Sequence, residues 1–567
     1  MLDLLIRGGT VIDGTGKPGF AADVGVAGGR VAAVQPGLEA EAARTIDAAG
    51  LCVTPGFIDP HTHSDVPLLV DPKAQSKIRQ GVTTEVVGNC GSSPAPLVGQ
   101  ALEEAQRRCA LLELEVTWRS FGEYLERLRG PGTAVNVVPL VGHNTVRGSV
   151  MGYGEGAPTA AQQAEMEEQV ARAMEEGAAG LSTGLYYPPG YYAGLDEVVG
   201  LARVAQRHGG VYASHIRSES DGLIEAVEEA IEIGRQAEIR VQIAHLKASG
   251  YRNWHKVDAL VETLEKGAAA GVALGCDQYP YAASSTWLAA ILPYWAQAGG
   301  GRQIAARLSD PAARERLRQD YQTHRAEWDD RSGVRDWSDI LISDCAARPE
   351  VLGLTVAEVA ARDGKDPFDA ALDLMVQAEA QVSCVWFSQS EEVVRRLMAH
   401  PLVVVGSDGS CLAAEGPLGR RQAHPRNYGT FVRVLGQYAR QDRVLTLEEG
   451  VRKMTSETAA RFGLSGRGVL EPGAWADVAV FDPQTVGDRA TYRDPHQYAA
   501  GVPYVLVNGQ VVVDGGRHTG ALPGQVLWTA ARDAPSAARD APSAAPATHP
   551  SRGEDPDGRR GAGCTTR

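Results

Sequence analysis

Five times along the chain an apolar run passes straight into a side chain able to ligate a metal, and this recurrence constrains the fold more than any other feature. The first is Pro55-Gly56-Phe57-Ile58-Asp59-Pro60-His61-Thr62-His63. Residues two apart share one side of a β-strand, so His61 and His63 are expected to present both imidazoles in one direction. Such a pair needs one or two further ligands from elsewhere in the fold. Candidates follow in Val86-Val87-Gly88-Asn89-Cys90, Val211-Tyr212-Ala213-Ser214-His215, Val241-Gln242-Ile243-Ala244-His245 and Val403-Val404-Val405-Gly406-Ser407-Asp408. Independent core histidines have no reason to recur at the carboxyl ends of apolar strands, which is where α/β barrels build their sites.

Apolar strands alternate with longer amphipathic segments, the pattern of parallel βαβ units. Eight strands are predicted, ending near His63, Cys90, Asn144, Leu185, His215, Leu246, Tyr281 and Asp408, with helices such as Ala160 to Glu176 and Asp221 to Gln236 between them. Eight is the number that closes a TIM (β/α)8 barrel. The interval from Tyr281 to Leu402 is too long for a simple crossover and includes Val382-Ser383-Cys384-Val385-Trp386-Phe387, so an insertion at about 285–400 is expected over the active-site face.

The two ends of the chain differ from the middle. Short strands broken by glycine are read at Asp3 to Arg7, Thr10 to Asp13, Ala22 to Val26 and Arg30 to Val34, with Gly8-Gly9 and Gly28-Gly29 as turns. The same character returns in Ala476 to Asp482 and Tyr504 to Asp514. The ends are therefore expected to pair into one small β-sandwich, from 1–54 and 466–529, around a catalytic barrel domain at 55–465. Beyond it, Arg532-Asp533-Ala534-Pro535-Ser536-Ala537-Ala538 repeats at once as Arg539 to Ala545, and the segment 530–567 is expected to be disordered.

Composition limits the partners. A formal charge of −15 argues against nucleic acid and anionic membranes, leaving small molecules as the expected partners. No apolar run is long enough to span a bilayer, and Met1 to Gly9 lacks the basic start and long apolar core of a secretory signal, so a cytoplasmic location is expected. Eight cysteines without paired CxxC spacing suit a compartment that keeps them as thiols. Neither glycine pair forms a phosphate-binding pattern in the right context, so a nucleotide cofactor has no support.

Histidines with a thiolate and a carboxylate favour zinc, with manganese, cobalt and iron as alternatives. An ion with an open position lowers the pKa of its water to about 7 and polarises a carbonyl, which is what cleavage of an unreactive amide requires. Asp408 would take the proton of the attacking water and return it to the departing amine. Lys247, two residues after His245, would face the same mouth and supply a cation for a product carboxylate, with Arg426 as a second candidate. His143, after Val141-Gly142, is a further candidate pocket residue.

The order His61-Thr62-His63, Cys90, His215, His245, Asp408 resembles the amidohydrolase superfamily, whose members combine a metal-bearing barrel with a β-sandwich built from both chain ends. Gly81-Val82-Thr83-Thr84, Gly88-Asn89-Cys90-Gly91, Ser182-Thr183-Gly184-Leu185-Tyr186-Tyr187, Ser214-His215-Ile216-Arg217-Ser218-Glu219, Ala244-His245-Leu246-Lys247, Gly406-Ser407-Asp408-Gly409 and His424-Pro425-Arg426 look more specifically like the N-acyl-D-amino-acid deacylases, or D-aminoacylases. The resemblance covers roughly Asp3 to Asp514. It implies that Cys90, His215 and His245 hold the tighter zinc. It also implies a second, weaker position formed by His61, His63 and Asp408, and substrate contacts from Tyr187 and from Tyr279 or Tyr281. Hydantoinases and dihydroorotases resemble the layout but use a modified lysine where this chain has Cys90. The expected activity is hydrolysis of an N-acyl-D-amino acid, the D preference coming wholly from the resemblance. An amidohydrolase acting on a cyclic amide or unusual dipeptide is the alternative. A non-catalytic barrel is disfavoured because all six ligand candidates are present.

Overall fold

The computed structural model describes residues 1–324, 328 and 333–527. The expectation for 530–567 lies outside the described residues. Strand one is Phe57–Asp59, strand two Val82–Val87, and strand three Asn136–Pro139, which continues past Leu140 as Val141–Gly142. Strands four to eight are Gly180–Gly184, Val211–His215, Arg240–Ile243, Leu274–Gln278 and Val403–Val405. Neighbours in this order pair in parallel, as in Ser214 opposite Ile243 and Asp277 opposite Val404. Strands two, four and five are buried at every residue, as a parallel sheet covered on both faces requires. Helices fill the crossovers, giving a TIM-barrel-type α/β domain.

Most strands stop short of the expected ligands. Strand one ends at Asp59, so His61 and His63 lie in the connection after it and strand alternation is not what aligns them. They are held by backbone pairing across to the eighth strand's loop: Asp408 N–H donates to His61 C=O at 2.9 Å, His63 N–H donates to Gly409 C=O at 2.8 Å, and Thr62 bridges Gly409 in parallel. Cys90, His245 and Asp408 have φ of +52°, +34° and +48°, left-handed conformations that cannot continue a ladder, and only His215 remains within its strand.

Helix Ala160–Glu176 has the expected bounds because Thr159 and Gln162 form a reciprocal capping box. The second expected helix is observed as Leu223–Ala237. Between strands seven and eight lies an antiparallel sheet of Ser284–Trp287, Ser383–Trp386 and Ile340–Asp344, with its own core including Leu292, Phe368 and Met375.

At the amino terminus, the two strands expected on either side of Gly8-Gly9 are one strand, Leu2–Val11. Gly8 takes φ +76° and donates its N–H to Asp23 Oδ1 at 2.8 Å, forming a bulge where a turn was expected. Gly28-Gly29 is a turn, with φ of +58° and +77°, joining Phe20–Ala27 to Arg30–Gln35. Cys52–Pro55 pairs antiparallel with Val478–Phe481, which unites both chain ends in a nine-stranded sheet. No helix among the described residues is long and apolar enough to cross a membrane.

A buried polar clasp ties this sheet to strand three. Arg467 pairs with Asp477 and donates to Asn508 Oδ1 at 2.9 Å, while Asn508 Nδ2 donates to Asn136 Oδ1 at 2.8 Å. Asp477→Ala leaves the guanidinium without its counter-charge in the interior, and urea unfolding is expected to show a loss of about 3–5 kcal/mol. A loss below about 1 kcal/mol would mean the clasp contributes little.

Candidate metal centre

His61, Cys90, His245 and Asp408 bring one donor atom each to within 4.8 Å of one another. Cys90 Sγ lies 3.3 Å from His61 Nε2 and 3.4 Å from His245 Nε2, and Asp408 Oδ1 lies 3.5 Å from His61 Nε2 and 3.1 Å from His63 Nε2. His215 joins from strand five, its Nδ1 2.9 Å from His245 Nε2. All six residues singled out in the sequence thus converge, although they are spread over about 350 positions, His61 to Asp408. Imidazole nitrogens, a thiolate and a carboxylate form the donor set zinc takes. His215 Nε2 is buried without a hydrogen-bond partner, and so is His61 Nδ1, whose 3.3 Å approach to Asp277 Oδ1 is not aligned for one.

The charges suit ligation. Burial alone would push the Cys90 thiol up, but His61 and His245 beside it, with hydrogen bonds from His215 and His245, hold it well below the usual range. Asp408 is likewise held well below the carboxylate range, against the effect of burial, by Arg426, His245 and His63. Burial lowers His63, but its hydrogen bond to Asp408 and the neighbouring Cys90 outweigh this and raise it to about 9.

Sequence reasoning missed the groups that aim these ligands. Glu219 Oε1 sits 2.9 Å from His245 Nδ1 and 2.5 Å from Lys247 Nζ, the carboxylate–histidine contact that orients metal-ligating imidazoles. Its place four residues after His215, in Ser214-His215-Ile216-Arg217-Ser218-Glu219, was the available signal. Asp277 accepts the His245 backbone N–H at 2.8 Å. Asp59 accepts Lys77 Nζ at 2.8 Å and the Ser407 N–H at 2.9 Å, and Lys77 also reaches the Ser407 hydroxyl, all in the interior. That cluster joins the chain leading to His61 with the chain leading to Asp408.

A cleft of ≈ 530 Å³ opens over the centre, bordered by His63, Cys90, His215, Lys247, Asp408 and Arg426. Arg426 Nη1 is 2.9 Å from Asp408 Oδ2, yet buried Nη1 and Nε have no aligned acceptor. Tyr187 lines the cleft, its OH 2.7 Å from Thr286 Oγ1 and its ring against His215. Tyr279 packs beneath both Lys247 and Arg426. Tyr281 is outside the cleft wall and donates to Asp488, and His143 pairs with Glu197 at 2.9 Å away from the wall.

Residues 44–513 match the sequence profile of the amidohydrolase family. The chain belongs to that family. This amidohydrolase is 39% identical over 527 residues to D-aminoacylase of Alcaligenes xylosoxydans xylosoxydans, an alignment covering 93% of this chain and 97% of that one. It is 40% identical over 513 residues to N-acyl-D-glutamate deacylase of the same organism, covering 90% and 93%. Among solved structures, N-acyl-D-glutamate deacylase from Bordetella bronchiseptica, complexed with zinc and a phosphonate inhibitor, superposes with a TM-score of 0.77 at 38% identity, covering 93% and 99%.

Two measurements follow from this geometry. Cys90→Ser should lose zinc on dialysis against chelator that the wild type retains, read by metal analysis; equal retention would remove the thiolate from the ligand set. Below the centre, burial pushes the Glu85 carboxyl up to about 7 against the lowering effect of Lys77. A folded value above the ordinary 4.5 means stability that is fully present below pH 4.5 and lost as pH rises through 7, amounting to about 3 kcal/mol. Urea unfolding of Glu85→Gln between those limits should show a correspondingly smaller decline than the wild type, and identical declines would refute the shift.

Proposed function

We propose that the protein is a zinc-dependent N-acyl-D-amino-acid deacylase, hydrolysing the amide to a carboxylate and a free D-amino acid. The observation that carries this reading is the convergence of His61, His63, Cys90, His215, His245 and Asp408 at one end of the parallel strands, beneath a cleft whose lining includes Lys247 and Arg426. Identity of 39–40% to named deacylases over nine-tenths of the chain supports the substrate class.

In this reading Cys90, His215 and His245 hold the tighter zinc and His61, His63 and Asp408 a weaker second position. Bound there, zinc would polarise the scissile carbonyl and make water ionisable near neutral pH. Asp408, ionised at neutral pH, accepts the proton of the attacking water and delivers it to the amide nitrogen as the C–N bond breaks. Arg426, ion-paired with Asp408 but with Nη1 and Nε short of an aligned acceptor, and Lys247 bind the α-carboxylate, Tyr187 bounds the substrate, and Tyr279 supports the two cations from beneath. Glu219 keeps the His245 ring turned toward the centre.

The same reading takes the eight strands as a closed barrel at 55–465, supported by the Thr62–Gly409 bridge between the first and last connections. It takes the terminal sheet as a sandwich from 1–54 and 466–529, supported by the Cys52–Pro55 to Val478–Phe481 pairing. Seven free thiols among the described cysteines support a reducing, cytoplasmic setting.

Amine release from paired N-acetyl-D- and N-acetyl-L-amino acids, with zinc supplied or chelated, tests the activity. Zinc-dependent release from the D series alone is expected, with Asp408→Asn slower by about 10²–10⁴-fold. Release from neither series would turn the search to cyclic amides and dipeptides.

A further inference from the structure

We infer that the substrate carries a medium-length alkyl acyl chain, such as hexanoyl or octanoyl, which lies in an apolar arm of the cleft on the side of strand two. This rests on the deacylase reading above. Among the residues lining the cleft, Val66, Leu97, Ala101, Ala105, Cys109 and Trp118 belong to or pack against one hydrophobic cluster. Leu97, Ala101, Cys109 and Trp118 are buried in the fold while still bordering this space. None offers a free polar group. The Trp118 indole N–H is spent on Pro94 C=O at 2.8 Å, and burial pushes the Cys109 thiol up to about 11, so it stays neutral. An acetyl group would leave such an arm unfilled, whereas each methylene placed in it is removed from water. The arm meets charged side chains at its rim, where Arg107 pairs with Glu104 at 2.9 Å and Glu379 at 2.7 Å, which sets an upper limit on chain length.

The topology assigns this arm to the acyl half of the substrate. Arg426 and Lys247 both lie over the Tyr279 ring, at 4.7 and 5.9 Å from its centroid, and Tyr279 immediately follows strand seven. A carboxylate bound by those cations draws the amino-acid half toward strands six to eight. Apart from Val66, which follows strand one, the apolar wall belongs to the connection after strand two, on the other half of the barrel mouth. With the scissile carbonyl between them at the ligand cluster, the acyl chain points at that wall.

The test uses the zinc-loaded full chain and N-acetyl, N-butyryl, N-hexanoyl and N-octanoyl derivatives of whichever D-amino acid is released fastest from its N-acetyl form. kcat/KM is expected to rise roughly two- to fourfold per methylene as far as hexanoyl. Ala105→Phe should then lower the hexanoyl-to-acetyl ratio of kcat/KM by about tenfold or more, with zinc content and thermal melting reporting folding; Ala101→Val is the smaller change if Ala105→Phe does not fold. A series that is flat or falls beyond acetyl, or a ratio that neither variant alters, overturns the inference while leaving the deacylase reading intact. A parallel series of N-acetyl-D-amino acids with lengthening side chains whose preference Ala105→Phe abolishes would give the arm to the side chain and overturn the inference as well. No release from any derivative, acetyl included, sinks the deacylase reading and this inference with it.

Discussion

The pairing of the first and last strand connections is what the site depends on. His61 accepts a backbone hydrogen bond from Asp408, and His63 donates one to Gly409, so two imidazoles and a carboxylate separated by most of the chain are set by main-chain geometry. Side chains alone would hold such distances loosely. The buried Lys77–Asp59–Ser407 cluster braces the same junction from beneath, with the ammonium and carboxylate fully enclosed. A charge pair of this kind adds little net stability, but removing either partner leaves the other stranded, and so the junction has few alternatives.

Backbone strain accompanies that precision. Cys90, His245 and Asp408 all adopt left-handed conformations that non-glycine residues rarely take, each costing on the order of 1–3 kcal/mol. The three residues share no sequence neighbourhood, yet each directs its donor atom into one cluster. The surrounding strands, buried at nearly every position, supply the packing that keeps these conformations from relaxing.

Opposed charges crowd the centre. Cys90, Asp408 and Glu219 supply negative groups, and Lys247 and Arg426 positive ones, in buried or half-buried positions. Lys247 is shared between Glu219 and His245, whereas Arg426 approaches Asp408 with donors still unaligned. Of the two cations, only Arg426 keeps buried donors, Nη1 and Nε, without an aligned acceptor, although strand-end spacing puts Lys247 ahead of Arg426.

Much of this was legible in the residues themselves. Apolar runs ending in His, Cys or Asp marked the strands and the six converging donors, because burial on both faces forces continuous hydrophobic runs and ligands must follow them at the open ends. The Thr159-initiated helix was equally plain, since its capping box is local. The exact strand ends, the bulge at Gly8, the buried partners Glu219, Asp277 and Lys77, and the separation of Tyr279 from Tyr281 were not. Those depend on which backbone groups meet across the fold, a long-range choice that local pattern does not encode. The chain alone determined the candidate donors and the α/β alternation; only the tertiary structure decided which of them share a cluster, which cation keeps unaligned donors, and that an apolar cluster borders the cleft, because each of these is a distance between segments far apart in sequence.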